Sequence, residues 1–167
     1  SGFIDLDVQR IAYAGLEPIL VAPATSAAMT FDLSATTSAN TLSLGIGSAP
    51  GVLKLTSIGG TFESVDFAVP TTATGTLTIT LGNFGDTLTV NALGAAFAAR
   101  KLTIIGGSGD DDIMVNAVTG SGAWTVSGKN GNDWISIGPV TTVPDQLKVN
   151  GGDGIAAASA SDGDDTF

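Results

Sequence analysis

The sequence predicts an all-β chain wound as a parallel β-solenoid of about seven coils, each about 23 residues long. Three observations predict it. Short segments alternate apolar residues with small or polar ones, the segments recur at a constant interval, and glycine-rich turns recur at the same interval.

The 167 residues suit one domain with a continuous apolar core. Apolar residues make up 43% and charged residues only 13%, with 23 glycines. Low charge without low hydrophobicity argues for a folded chain, and many glycines between short apolar runs favour strands over helices.

One series of strands (A) occupies 31–33, 53–55, 77–79, 102–104, 124–126 and 147–149, at intervals of 22, 24, 25, 22 and 23 residues. A second series (B) occupies 42–44, 65–67, 88–90, 113–115 and 135–137, at intervals of 23, 23, 25 and 22. One period back lies 19–21 for B and 6–8 for A. Equivalent strands one period apart would stack in parallel at about 4.8 Å. The B-to-A connections (68–76, 91–101, 116–123, 138–146) have room for a third short strand. An antiparallel sandwich also has turns every 8–12 residues, but it has no reason to keep a 23-residue period. The reading is a single domain: residues 1–30 form a first coil or cap, and 31–167 form coils with Gly/Asp-rich turns from 82 onward. It reads as one module of a longer protein.

Sixteen acidic residues against six basic ones give a net charge of −10. That disfavours nucleic acid, whose binding rests on Lys and Arg at phosphates. No apolar run is long enough to insert in a membrane as a helix. Ten of the sixteen acids lie at or after Asp86, most beside glycines. Carboxylates clustered on turns make a cation the natural partner. Histidine and cysteine are both absent, which removes imidazole bases, thiol nucleophiles and the usual zinc and copper ligands.

The turns in question are Gly82-Asn83-Phe84-Gly85-Asp86, Gly106-Gly107-Ser108-Gly109-Asp110-Asp111-Asp112, Gly128-Lys129-Asn130-Gly131-Asn132-Asp133 and Gly151-Gly152-Asp153-Gly154. Their inner glycines, Gly85, Gly109, Gly131 and Gly154, are 24, 22 and 23 residues apart, so the turns should stack along one edge. Carboxylates stacked about 4.8 Å apart would repel by roughly 3 kcal/mol at an effective dielectric of 20.

These turns resemble the RTX, or haemolysin-type, calcium-binding repeat G-G-x-G-x-D-x-U-x, where U is a large apolar residue. Gly106 to Met114 matches it at every defined position, and Gly128 to Ser136 matches except for Lys129 at the second glycine. Asp162-Gly163-Asp164-Asp165-Thr166-Phe167 is similar to the later part of another unit. The resemblance implies calcium held by the sixth-position carboxylate and by turn carbonyls. The ligand candidates are Asp86, Gly106, Ser108, Asp110, Asp111, Gly128, Asn130, Asn132, Asp133, Asp153 and Asp165. Coils of this length resemble the right-handed parallel β-helix. The layout, including Gly15-Leu16-Glu17-Pro18-Ile19, is also similar to modules of giant bacterial surface proteins, notably planctomycete ones.

The expectation is therefore a non-catalytic, calcium-stabilised structural or adhesive module of a secreted or cell-surface bacterial protein. Its partners would be neighbouring modules, other copies of itself or surface glycans. Two other classes compete. A carbohydrate- or ice-binding module would use an exposed Trp134 or the outward column Lys54, Thr78, Thr103, Thr125 and Lys148; Trp124 falls on a core position. A remnant of a polysaccharide-active β-helix enzyme would group Arg100 and Lys101 with carboxylates.

Overall fold

The computed structural model describes residues 2–6, 9–13, 19–21, 27–72, 74–139, 146–152 and 157–160. In chain order the first strands are β1 (Gly2–Leu6), β2 (Gln9–Tyr13), β3 (Ile19–Val21), β4 (Ala28–Asp32), β5 (Thr41–Ile46), β6 (Val52–Ser57) and β7 (Val65–Ala68). Next come β8 (Thr76–Thr80), β9 (Thr87–Val90), β10 (Lys101–Gly107) and β11 (Asp112–Val115). The last are β12 (Trp124–Lys129), β13 (Trp134–Ile137), β14 (Leu147–Asn150) and β15 (Ala157–Ala160). They form a seven-stranded sheet, β14-β12-β10-β8-β4-β1-β2, and an eight-stranded one, β15-β13-β11-β9-β5-β6-β7-β3.

Alternation decides which side of each strand is buried. In β8, Leu77 and Ile79 are fully buried, while Thr76, Thr78 and Thr80 face outward. From β8 onward, strands one interval apart pair in parallel. Leu77 lies opposite Leu102, Leu102 opposite Trp124, and Trp124 opposite Leu147. In the other sheet Leu88 lies opposite Ile113, and Ile113 opposite Ile135.

The chain is nevertheless not the seven-coil right-handed parallel β-helix that the period predicts. The segment 53–55, expected beside 31–33, instead sits in β6, antiparallel to β5, with Leu44 opposite Leu55. β7 is antiparallel to β6 in turn, with Lys54 opposite Asp66. β4 therefore pairs directly with β8, Phe31 opposite Ile79, skipping a whole expected coil. β1 runs antiparallel to both β2 and β4. Among the described residues no third strand longer than one residue forms in the B-to-A connections: 116–123 carries an isolated bridge at Val118, and 91–100 a 3-10 turn at Ala95–Phe97.

Local turn chemistry overrides the period. Between β5 and β6 the Gly47 N–H donates to the Val52 carbonyl at 2.8 Å, and the Val52 N–H to the Ala49 carbonyl at 3.1 Å. Gly51 takes φ 76°, a left-handed conformation open to glycine, directly after Pro50. A Pro-Gly turn closing a hairpin costs less loop entropy than a crossover to the other sheet.

Both sheets bury their inner faces in one core. Phe31 of β4 and Phe67 of β7 join them, ring centroids 4.7 Å apart. Phe97, from the 3-10 turn, meets Trp124 edge-on at 6.4 Å, so the connection closes over the inner face.

Candidate functional site

The β8–β9, β10–β11 and β12–β13 turns stack on one another. The Gly82 carbonyl lies against the Cα of Gly107, and the Gly109 carbonyl against that of Gly131, so neither glycine has room for a Cβ. The Asn130 N–H donates to the Gly107 carbonyl at 3.0 Å. Lys129, where the repeat motif has its second glycine, is left-handed at φ 77°. A non-glycine residue there costs about 1–2 kcal/mol.

Inside this column the aspartates are buried: Asp86 and Asp111 are 1% exposed and Asp133 is 2%. They are linked as a ladder. The Asp86 N–H donates to Asp111 Oδ1 at 2.8 Å, and the Asp111 N–H donates to Asp133 Oδ1 at 3.0 Å. Asp86 heads the ladder and has a full set of donors. Its Oδ1 accepts from the backbone and side-chain N–H of Asn40, at 2.6 and 2.9 Å, and its Oδ2 accepts from the Gly82 N–H at 2.6 Å.

The next two rungs differ. Asp111 Oδ2 and Asp133 Oδ2 are buried without a hydrogen-bond partner. Turn length explains the difference. Gly82 lies beyond the end of β8, four residues before Asp86, and its N–H is free to turn to the carboxylate. Gly106 and Gly128 lie five residues before their aspartates and inside β10 and β12. Asp111 Oδ2 rests against the Cα of Gly106, beside the Gly128 carbonyl, and Asp133 Oδ2 rests against the Cα of Gly128. Burial pushes the Asp111 carboxyl up to about 7, and the charges of Asp86, Asp133 and Asp110 add to it against the pull of the Asp86 N–H.

The predicted ligands thus divide. Asp86, Gly106, Asp111, Gly128 and Asp133 meet inside the column. Ser108, Asp110, Asn130 and Asn132 are exposed on its outer side, where Ser108 Oγ donates to Asn83 Oδ1 at 2.9 Å and the Asn132 N–H to Asp110 Oδ1 at 2.8 Å. Asp153 and Asp165 lie outside the described residues. Among the described residues no three His, Cys, Asp or Glu side chains gather as a metal-holding group. A cation on this column would have to draw on backbone carbonyls.

No family model, curated protein or solved structure matches the chain.

Asn40 is the residue that sequence reasoning missed. It stands directly before β5, as Asp86, Asp111 and Asp133 stand directly before β9, β11 and β13. That shared offset was the available signal, and it starts the column one turn earlier than the Gly/Asp motifs do. Elsewhere, Trp124 is fully buried and Trp134 is exposed. The outward column is Thr30, Thr78, Thr103, Thr125 and Lys148, because Lys54 leaves with β6. The Arg100 guanidinium donates to the Pro70 carbonyl at 3.0 Å, tying the β9–β10 connection to the β7–β8 one.

Proposed function

We propose that the chain is a non-catalytic, calcium-stabilised structural module of a secreted or cell-surface bacterial protein of the adhesin kind. One observation carries the calcium: Asp111 Oδ2 and Asp133 Oδ2 are buried, unpartnered and beside turn backbone. A buried carboxylate oxygen without a partner is costly. Stacked carboxylates add roughly 3 kcal/mol of repulsion per neighbour at an effective dielectric of 20.

The donor set is made only of oxygens, which suits calcium. Asp111, Asp133 and the carbonyls of the stacked turns would hold the ion. Its positive charge would offset the two carboxylates and clamp one turn to the next. Asp86 falls outside this set, because three N–H groups already occupy its carboxylate. The partners in this reading are adjoining modules or other copies, met through strand edges.

Thermal unfolding in millimolar calcium, in chelator and in magnesium tests the reading. A ligand of the folded state raises the melting temperature with its concentration. Calcium should raise it by several degrees and magnesium by less, and Asp111→Asn should remove the calcium-dependent part. A melt indifferent to calcium sinks the metal and leaves the fold untouched.

A further inference from the structure

The turn between β12 and β13 carries an asparagine followed directly by a glycine, Asn130-Gly131. Asn130 is exposed at the tip of the turn. Its backbone N–H is held by the Gly107 carbonyl at 3.0 Å, but its carboxamide makes no hydrogen bond among the described residues. The Gly131 N–H makes none either. Gly131 takes φ 124°, a conformation that favours glycine, so no side chain shields its nitrogen.

The other asparagines lack this combination. The carboxamides of Asn40, Asn83, Asn91 and Asn116 are hydrogen-bonded to other side chains. Asn150 also precedes a glycine, but its Oδ1 accepts the Gly152 N–H at 3.0 Å. Asn132 is exposed, yet the residue after it is Asp133, whose Cβ crowds the nitrogen that would have to react.

We propose that Asn130 is a site of spontaneous deamidation, and that the isoaspartyl product loosens the turn column. The Gly131 nitrogen attacks Asn130 Cγ and gives up its proton to solvent. A nitrogen–Cγ bond forms, the Cγ–Nδ2 bond breaks, and Nδ2 leaves as ammonia with a proton from solvent. Water then opens the resulting succinimide at either carbonyl. One product is aspartate; the other is isoaspartate, whose main chain runs through Cγ and is longer by one methylene. That methylene falls between two fixed points of the stack. The N–H of residue 130 is bonded to the Gly107 carbonyl, and the Cα of Gly131 rests against the Gly109 carbonyl with no room for a Cβ. A longer chain between them cannot keep both contacts. The reaction uses none of the carboxylate oxygens assigned above to calcium, so it stands without the ion.

The test incubates the full chain in calcium buffer at pH 8, beside a sample unfolded in urea. Both are then cut after lysine and mapped by mass spectrometry. Residues 130–148 come off as one peptide, because Lys129 and Lys148 bound a stretch without lysine or arginine. That peptide should gain one dalton, located to Asn130 by fragmentation. An exposed turn tip has little structure to open before it reacts, so the folded rate should lie within about tenfold of the unfolded one. A slower folded rate overturns the proposal, because the fold would then be shielding the site. The isoaspartyl chain, separated by ion exchange, should melt several degrees below the unmodified chain. Asn130→Ser should keep its mass and its melting temperature through the same incubation. Freshly prepared Asn130→Asp has the new charge without the longer main chain, and should melt close to wild type. The proposal also falls if the isoaspartyl chain melts with the unmodified one, or if Asn130→Asp melts as low as the isoaspartyl form.

Discussion

Asp86 Oδ1 accepts both N–H groups of Asn40, backbone at 2.6 Å and side chain at 2.9 Å, across a sequence separation of 46 residues. One asparagine therefore closes the end of a carboxylate ladder that otherwise repeats from turn to turn. It does so with neutral donors, where the next two rungs leave an oxygen open.

Asn40→Ala should destabilise the chain by about 1–3 kcal/mol, because it removes a donor from a buried carboxylate. Asp86→Asn should cost a similar amount, since its amide NH₂ would face either the Asn40 donors or the Gly82 N–H. Urea unfolding of both variants, with and without calcium, checks this. Both should keep the wild-type calcium increment, and losing it would place Asp86 among the ligands.

The Asp111 carboxyl is held at about 7, above its ordinary 3.8, chiefly by burial. A carboxyl raised in the folded state binds more protons there than in the unfolded chain, so ionising it costs stability. That cost is complete above about pH 7 and is recovered as pH falls from 7 towards about 4. In chelator, the melting temperature should therefore be higher at pH 5 than at pH 8. Asp112, also raised by burial, acts in the same direction. Asp111→Asn should flatten most of the rise. If wild type and variant show the same pH profile, the buried charge of Asp111 is not its source.

Gly107→Ala should cost about 1–3 kcal/mol or more by overpacking, because the new methyl meets the Gly82 carbonyl in the turn below. Gly59 has no atom within 4 Å of a built Cβ, so Gly59→Ala is the matched control and should be close to neutral. Equal melting temperatures for the two variants would mean that the turns do not stack as closely as described.

Much of the local structure was legible in the chain. The inward residues Leu77, Leu88, Leu102, Ile113, Trp124 and Ile135 follow from alternation alone, because a strand buries every second residue. Trp134 outward and Trp124 inward follow from the same rule. The aspartates at the centre of the turn column were also readable, from a glycine–aspartate spacing repeated at the strand interval. Which of their oxygens lack partners was not, since that depends on whether the preceding glycine lies inside a strand or beyond its end.

The sequence by itself determined that the chain is all-β, which residues face the core, and that Gly/Asp turns follow one another at the strand interval. Alternation and turn composition depend on neighbours two to five residues apart, and the recurrence of the turns is read by counting along the chain. Only the tertiary structure decided which strand pairs with which. Segments 53–55 and 65–67 keep the interval and the alternation of the others, yet they fold back as β6 and β7 against β5. Alternation says which face is buried but not which partner covers it, and at this point the tight Gly47–Gly51 connection made the nearest strand the cheaper partner. The pairing of β4 with β8, and with it the reach of Asn40 to Asp86, follows from that one reversal.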